Sequence, residues 1–150
     1  MTSPLISVLY VSEAVQEFDV PALKELAQFA SSKNEEFGIT GYLYFEKRRF
    51  LQYIEGPKEH IDQLVTNIAG DERHKILHQV GEPEVANRRF PTWSMQYLTK
   101  TSLIEIKMQD VIFDYMRFIG REDPGYQSST ETLVWNMVEK LSENHQRMVF

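Results

Sequence analysis

The sequence predicts an α+β fold in which one sheet carries two helices on one of its faces. Three observations predict it. Five segments are rich in β-branched, aromatic and aliphatic residues, and two segments repeat apolar residues at helical spacing. In chain order the seven read β-α-β-β-α-β-β.

The first segment, residues 5–12 (LISVLYVS), is almost continuously apolar, which suits a strand buried on both faces. Residues 19–34 read as a helix. Asp19 is a natural N-cap, Pro21 fits the first turn, and Leu23, Leu26, Ala27 and Ala30 form one stripe. Residues 38–45 and 49–55 are two strands joined by a short charged turn, hence a hairpin. Within that turn, Lys47, Arg48 and Arg49 read as a solvated hairpin tip. Residues 57–69 form a second amphipathic helix opened by Pro57, with Ile61, Leu64, Val65 and Ile68 facing inward. Residues 75–85 and 93–99 complete the sheet. This order is the split-βαβ, ferredoxin-like pattern with an added strand. The right-handed crossover rule puts both helices on the same sheet face.

Beyond about residue 100 the character changes. Residues 102–119 suit one or two short helices, and residues 120–129 form a Gly-, Pro- and Ser-containing loop. Residues 129–144 suit a helix with a capping box from Ser128 and Glu131 and a stripe of Leu133, Val134, Met137, Val138 and Leu141. That stripe needs a partner, and the uncovered sheet face is the expected one. The expected organisation is thus a sheet domain over residues 1–99 and a helical extension over residues 100–150.

Composition narrows the chemistry. A chain of 150 residues with 42% hydrophobic and 25% charged residues can build a full core. No apolar run is long enough to span a membrane, and no leader follows Met1, so a cytoplasmic location without membrane attachment is expected. The absence of cysteine removes disulfides, thiolate metal sites and Cys nucleophiles together. The four histidines form no ligand pair at metal-binding spacing, so no metal is expected. A net charge of −6 argues against direct nucleic-acid binding.

One residue disturbs the pattern. In the strand RFLQYIE, Phe50, Gln52 and Ile54 share a face, because side chains alternate. A primary amide in the core must be paired, or it costs about 1–3 kcal/mol. Tyr10 shares a face with Val8 and Ser12 of the first strand. If both strands are central, Tyr10 and Gln52 point together at the two helices. Asn34 closes the first helix, where backbone groups are already short of partners. Trp93 and Met95 share a face of the last strand. Each feature has an ordinary reading: a buried tyrosine satisfied by a neighbour, a polar helix end, and a core Trp-x-Met pair.

Taken together, these residues resemble the BLUF domain, a family of blue-light sensors that bind FAD. The resemblance covers residues 5–99. It rests on Leu9-Tyr10-Val11-Ser12, on Asn34 followed by Gly38-Ile39-Thr40-Gly41, and on Phe50-Leu51-Gln52 followed by Glu55-Gly56. Asp71-Glu72-Arg73-His74, and Arg89-Phe90 followed by Trp93-Ser94-Met95, extend it. The resemblance implies that the isoalloxazine ring lies between the helices and that Gln52 bridges Tyr10 and the ring. It implies that Asn34 holds the ring edge, that Ile39 and Phe50 are apolar contacts, and that Asp71, Arg73 and His74 approach the pyrimidine and ribityl side. Lys33 stands where the family varies.

The implied activity is photochemical. Tyr10 gives an electron to excited FAD, a proton moves through Gln52, and recombination leaves the amide rearranged. Tyr10, Gln52, Trp93 and Met95 are the photoactive set on this reading. The protein would be a non-enzymatic switch acting on an unidentified downstream protein through its last strand and C-terminal helices, with homo-oligomerisation left open. Two other readings compete: a ferredoxin-like flavin or haem monooxygenase, and a scaffold without photochemistry. Yellow colour with a reversible red shift under blue light separates the first from both.

Overall fold

The structure, a computed structural model, describes residues 4–91, 93–98, 135, 138–140, 142 and 143. The chain divides into two compact units, Met1–Tyr97 and Leu98–Phe150. The elements are β1 (Leu5–Ala14), α1 (Val20–Glu36), β2 (Thr40–Glu46), β3 (Arg49–Pro57), α2 (Lys58–Ala69), β4 (His74–Glu82) and β5 (Gln96–Leu98). The predicted α+β, ferredoxin-like arrangement is the one observed. The strands lie in the order β4-β1-β3-β2-β5. The β1–β3, β1–β4 and β2–β3 pairs are antiparallel.

Local chemistry explains the element ends. Asp19 is extended, and its side chain accepts the Ala22 N–H at 2.9 Å, so α1 starts where the cap residue stands. Near the other end of α1, the Asn34 carbonyl accepts the N–H groups of Phe37 and Ile39. The β2–β3 hairpin turns on Lys47 and Arg48, both with positive φ (48° and 67°), and both are exposed. That places two long side chains at the positions of a primed turn, where Asn-Gly is the usual choice.

The two central strands, β1 and β3, are buried on both faces. Ile6, Val8, Leu43, Phe50 and Ile54 meet Leu23 and Ala27 of α1 and Ile61 of α2 in one core cluster. Both helices therefore lie on the same face, as the crossover rule requires. On the opposite face, Tyr42 stacks on Tyr53 at 5.6 Å, and Phe90 meets both edge-on.

Several sequence-based bounds are corrected. Pro57 ends β3 and caps α2, whose helix begins at Lys58. The strand expected over 38–45 begins at Thr40, because Gly38 adopts a φ of +70°. The strand expected over 75–85 runs from His74 and stops at Glu82, since Pro83 has no N–H for the ladder. The largest correction is at the last strand, expected over 93–99. Only Gln96–Leu98 is strand, and Trp93 and Met95 precede it in irregular backbone. They do not share a face. Met95 joins the core beneath the helices, while Trp93 stacks on Phe90 at 5.2 Å on the other side.

In the second unit Leu98 ends β5, the other described residues are helical, and Val138 is buried. The segments 102–119 and 120–129, the capping box and the packing expected for the C-terminal helices lie outside the described residues.

Candidate functional site

The register sets the site. Tyr10 of β1 pairs directly with Gln52 of β3, which pairs on its other side with Leu43 of β2. The three side chains therefore form a row across the sheet, facing the helices. Above them α1 and α2 leave a cavity of about 270 Å³. Its walls are apolar, with Leu26 and Ala30 from α1 and Leu64 and Ile68 from α2, and Phe50 contributes from the sheet.

The floor answers the question raised by the buried amide. The Tyr10 hydroxyl donates to Gln52 Oε1, and Gln52 Nε2 donates to Met95 Sδ at 3.2 Å. Tyr10, Gln52 and Met95 are all buried. A thioether is a weak acceptor, so the amide is paired asymmetrically: firmly through its oxygen, loosely through its nitrogen. Burial pushes the Tyr10 phenol far above its ordinary pKa, and the negative charge of Asp71 adds to this. Tyr10 is thus a neutral phenol whose hydrogen bond has one direction.

Asn34 also lines the cavity. It is buried, and its Nδ2 has no hydrogen-bond partner. An orphaned buried donor is costly unless something in the cavity accepts from it.

The rim carries the charges. Asp71 and Arg73 form a close pair, with Arg73 Nη2 at 2.6 Å from Asp71 Oδ2 and Nε at 3.0 Å from Oδ1. The guanidinium holds the Asp71 carboxyl down at about 2. His74 is pinned between Ser12 Oγ at 2.7 Å and the Ile68 carbonyl at 2.8 Å. The second contact requires a proton on Nε2, so in the neutral ring Nδ1 accepts from Ser12. Because Arg73 is matched by Asp71, the unmatched cation among the lining side chains is Lys33. It is exposed, with its Nζ 5.6 Å from the centre of the Phe29 ring.

Of the residues singled out from sequence, Tyr10, Asn34, Phe50, Gln52, Asp71, Arg73 and His74 all line this one cavity, and Met95 touches Gln52. Ile39 is buried in the core cluster and is not among the lining residues. Trp93 lies with Tyr42 and Phe90. Sequence reasoning passed over Phe29, which is 67% exposed at the rim; its signal was an aromatic outside the apolar stripe of α1.

Comparison with known proteins agrees with this geometry. A family model described as sensors of blue-light using FAD (BLUF) matches residues 5–96. The photoactivated adenylate cyclase subunit beta of Euglena gracilis is 30% identical over 90 residues, covering 59% of this chain and 10% of that protein. The blue light- and temperature-regulated antirepressor BluF of Escherichia coli is 30% identical over 92 residues, covering 61% of this chain and 23% of that protein. The chain thus spans a small part of the length of these relatives. Among solved structures, BlrB, a BLUF protein in its dark state, superposes with a TM-score of 0.70 at 25% identity, covering 95% of this chain and 98% of BlrB. Klebsiella pneumoniae BlrP1 gives 0.60 at 27% identity, covering 90% of this chain and 33% of BlrP1.

Proposed function

Since the chain belongs to the BLUF family of blue-light sensors that use FAD, we propose that Tyr10 and Gln52 are its light-driven switch and that the cavity above them holds the flavin ring. The Tyr10–Gln52–Met95 chain of hydrogen bonds on the cavity floor carries this reading. The cavity suits the cofactor. Its apolar walls fit a flat ring, and the orphaned Asn34 Nδ2 supplies a donor for a ring-edge carbonyl. Lys33 and Phe29 stand at the rim, where a phosphate-bearing chain would leave.

When bound, FAD supplies blue-light absorption and, once excited, a one-electron oxidant. Tyr10, buried and lining the cavity, would be the residue that gives the electron. A phenol that has lost an electron is strongly acidic, and the base it already touches is Gln52 Oε1. Gln52 then turns its amide end for end, presenting Nε2 to Tyr10 and giving up Met95 Sδ. As the electron returns, an Nε2 proton would pass to the Tyr10 oxygen while the proton taken up stays on Oε1, so the net change would be one amide turned and tautomerised, with Tyr10 restored. Each hydrogen bond gained or lost, at about 1 kcal/mol, shifts such an equilibrium about fivefold.

The chain is read as a switch that acts on a partner protein rather than as an enzyme. Relatives are named as cyclase subunits and as an antirepressor, which fits a sensory region coupled to different outputs. The test is spectroscopic. Wild type should show a reversible red shift under blue light. Tyr10→Phe and Gln52→Leu should keep FAD and lose the shift. A wild-type shift in either variant would overturn the assignment.

A further inference from the structure

Glu55 lies on β3 three residues after Gln52, on the opposite face of the sheet, and is 1% exposed. Its carboxylate gathers four donors. Oε2 accepts from Thr40 Oγ1 at 2.9 Å and from the Phe90 N–H at 2.8 Å. Oε1 accepts from Tyr53 Oη and from the Arg89 N–H, each at 2.9 Å. The Arg89 guanidinium is directed elsewhere, to Glu82 at 2.5 and 3.0 Å and to Tyr53 Oη at 3.0 Å. Glu55 therefore grips the backbone of residues 89 and 90 rather than a side-chain cation.

A buried charge with hydrogen-bonded partners contributes little net stability over a well-packed apolar residue. What it fixes is position. Beyond the clamp, the Trp93 N–H donates to the Phe90 carbonyl at 3.3 Å, and the Trp93 carbonyl accepts the Gly41 N–H at 2.7 Å. Two residues later the chain delivers Met95 Sδ to Gln52 Nε2. The described residues here, 89–91 and 93–95, are irregular backbone without strand assignment, so their path depends on such point attachments.

We infer that Glu55 is a positioning residue for the switch, holding the 89–95 segment so that Met95 meets Gln52. The inference rests on the proposed role of Gln52. The bond to Met95 favours the dark orientation of the amide, so loosening the clamp removes a contact that draws the amide back after illumination. Glu55→Gln replaces two acceptor oxygens with one and sets an NH₂ among converging donors.

The experiment follows dark recovery of the red-shifted absorption in wild type, Glu55→Gln, Met95→Leu and the double variant. Glu55→Gln should slow recovery about fivefold. In the Met95→Leu background the same change should have no further effect. Unchanged recovery in Glu55→Gln, or the same slowing in both backgrounds, would overturn the inference. If Glu55→Gln does not fold, Thr40→Val removes one donor and leaves the carboxylate in place. It should slow recovery less, and again only when Met95 is present; failure on either count is equally decisive. A wild type without any reversible shift would instead defeat the reading of Tyr10 and Gln52.

Discussion

At the scale of single residues, the site is defined by groups whose hydrogen bonding is incomplete. Asn34 Nδ2 is buried and unpartnered, so its value lies in what it can give to a bound ring. Asn34→Ala should lower flavin affinity about tenfold, because an unpaired acceptor would then remain on the ring edge. Equal FAD retention by wild type and variant in a flavin titration would count against that contact. Lys33 should act on a different part of the cofactor. As an exposed cation it contributes no more than about 1 kcal/mol. Lys33→Met should therefore weaken FAD by at most about fivefold and leave riboflavin, which has no phosphate, unchanged. Parallel titrations with the two flavins check this, and equal losses for both would reject a phosphate role. The Tyr10–Gln52 pair was legible in the sequence because both residues sit on long strands, where alternation fixes the face. The separate sides taken by Met95 and Trp93 were not, because both stand in irregular backbone where period two has no meaning.

At the scale of elements, the fit of β2 against β3 and against Trp93 depends on Gly41. Its φ is +154°, and a Cβ there would lie 1.9 Å from the Tyr53 carbonyl oxygen of β3. The same residue donates its N–H to Trp93. Gly41→Ala cannot be absorbed by rotating a side chain, since the obstacle is backbone. It should cost about 3 kcal/mol, read as a lower urea midpoint. Because β2 must move to admit the methyl, the Met95 contact to Gln52 should loosen as well, and the red shift should shrink. A variant as stable as wild type would mean that the hairpin can shift its register there. The motif Gly38-Ile39-Thr40-Gly41 was visible in the sequence, but its physical reason was not. Nothing local signals that β3 backbone passes so close, just as nothing local signals that a two-residue turn of Lys47 and Arg48 is held by β1, where the Ala14 N–H reaches the Arg48 carbonyl at 2.7 Å.

At the scale of the whole molecule, order and period of the apolar residues were enough to give the sheet, its two helices and their common face. What they could not give was the second face, where Tyr42, Tyr53 and Phe90 pack with Glu55, Glu82 and Arg89, because those contacts join distant segments. That face and the cavity floor together set the response to alkali. Burial raises the phenols of Tyr10, Tyr42 and Tyr53 above the ordinary value. Such a group is protonated in the folded chain at a pH where the unfolded chain has already lost its proton. Its contribution is therefore intact below about pH 10 and declines as pH rises further, by about 1.4 kcal/mol per pH unit for each group. These three groups alone would make stability fall by roughly 4 kcal/mol per unit above about pH 10, and the phenols of Tyr44 and Tyr97, which burial also raises, steepen it further. Urea midpoints from about pH 8.5 to pH 11.5, with tyrosinate absorbance followed in parallel, measure this slope. Tyr42 isolates one share of it. Its hydroxyl is buried without a hydrogen-bond partner, so Tyr42→Phe removes an unsatisfied donor and a titrating group at once. At neutral pH the variant should be as stable as wild type or gain about 1 kcal/mol. Above about pH 10 its stability should fall less steeply, by about 1.4 kcal/mol per pH unit. A loss of stability at neutral pH, or an unchanged alkaline slope, would mean that the Tyr42 hydroxyl is satisfied in solution.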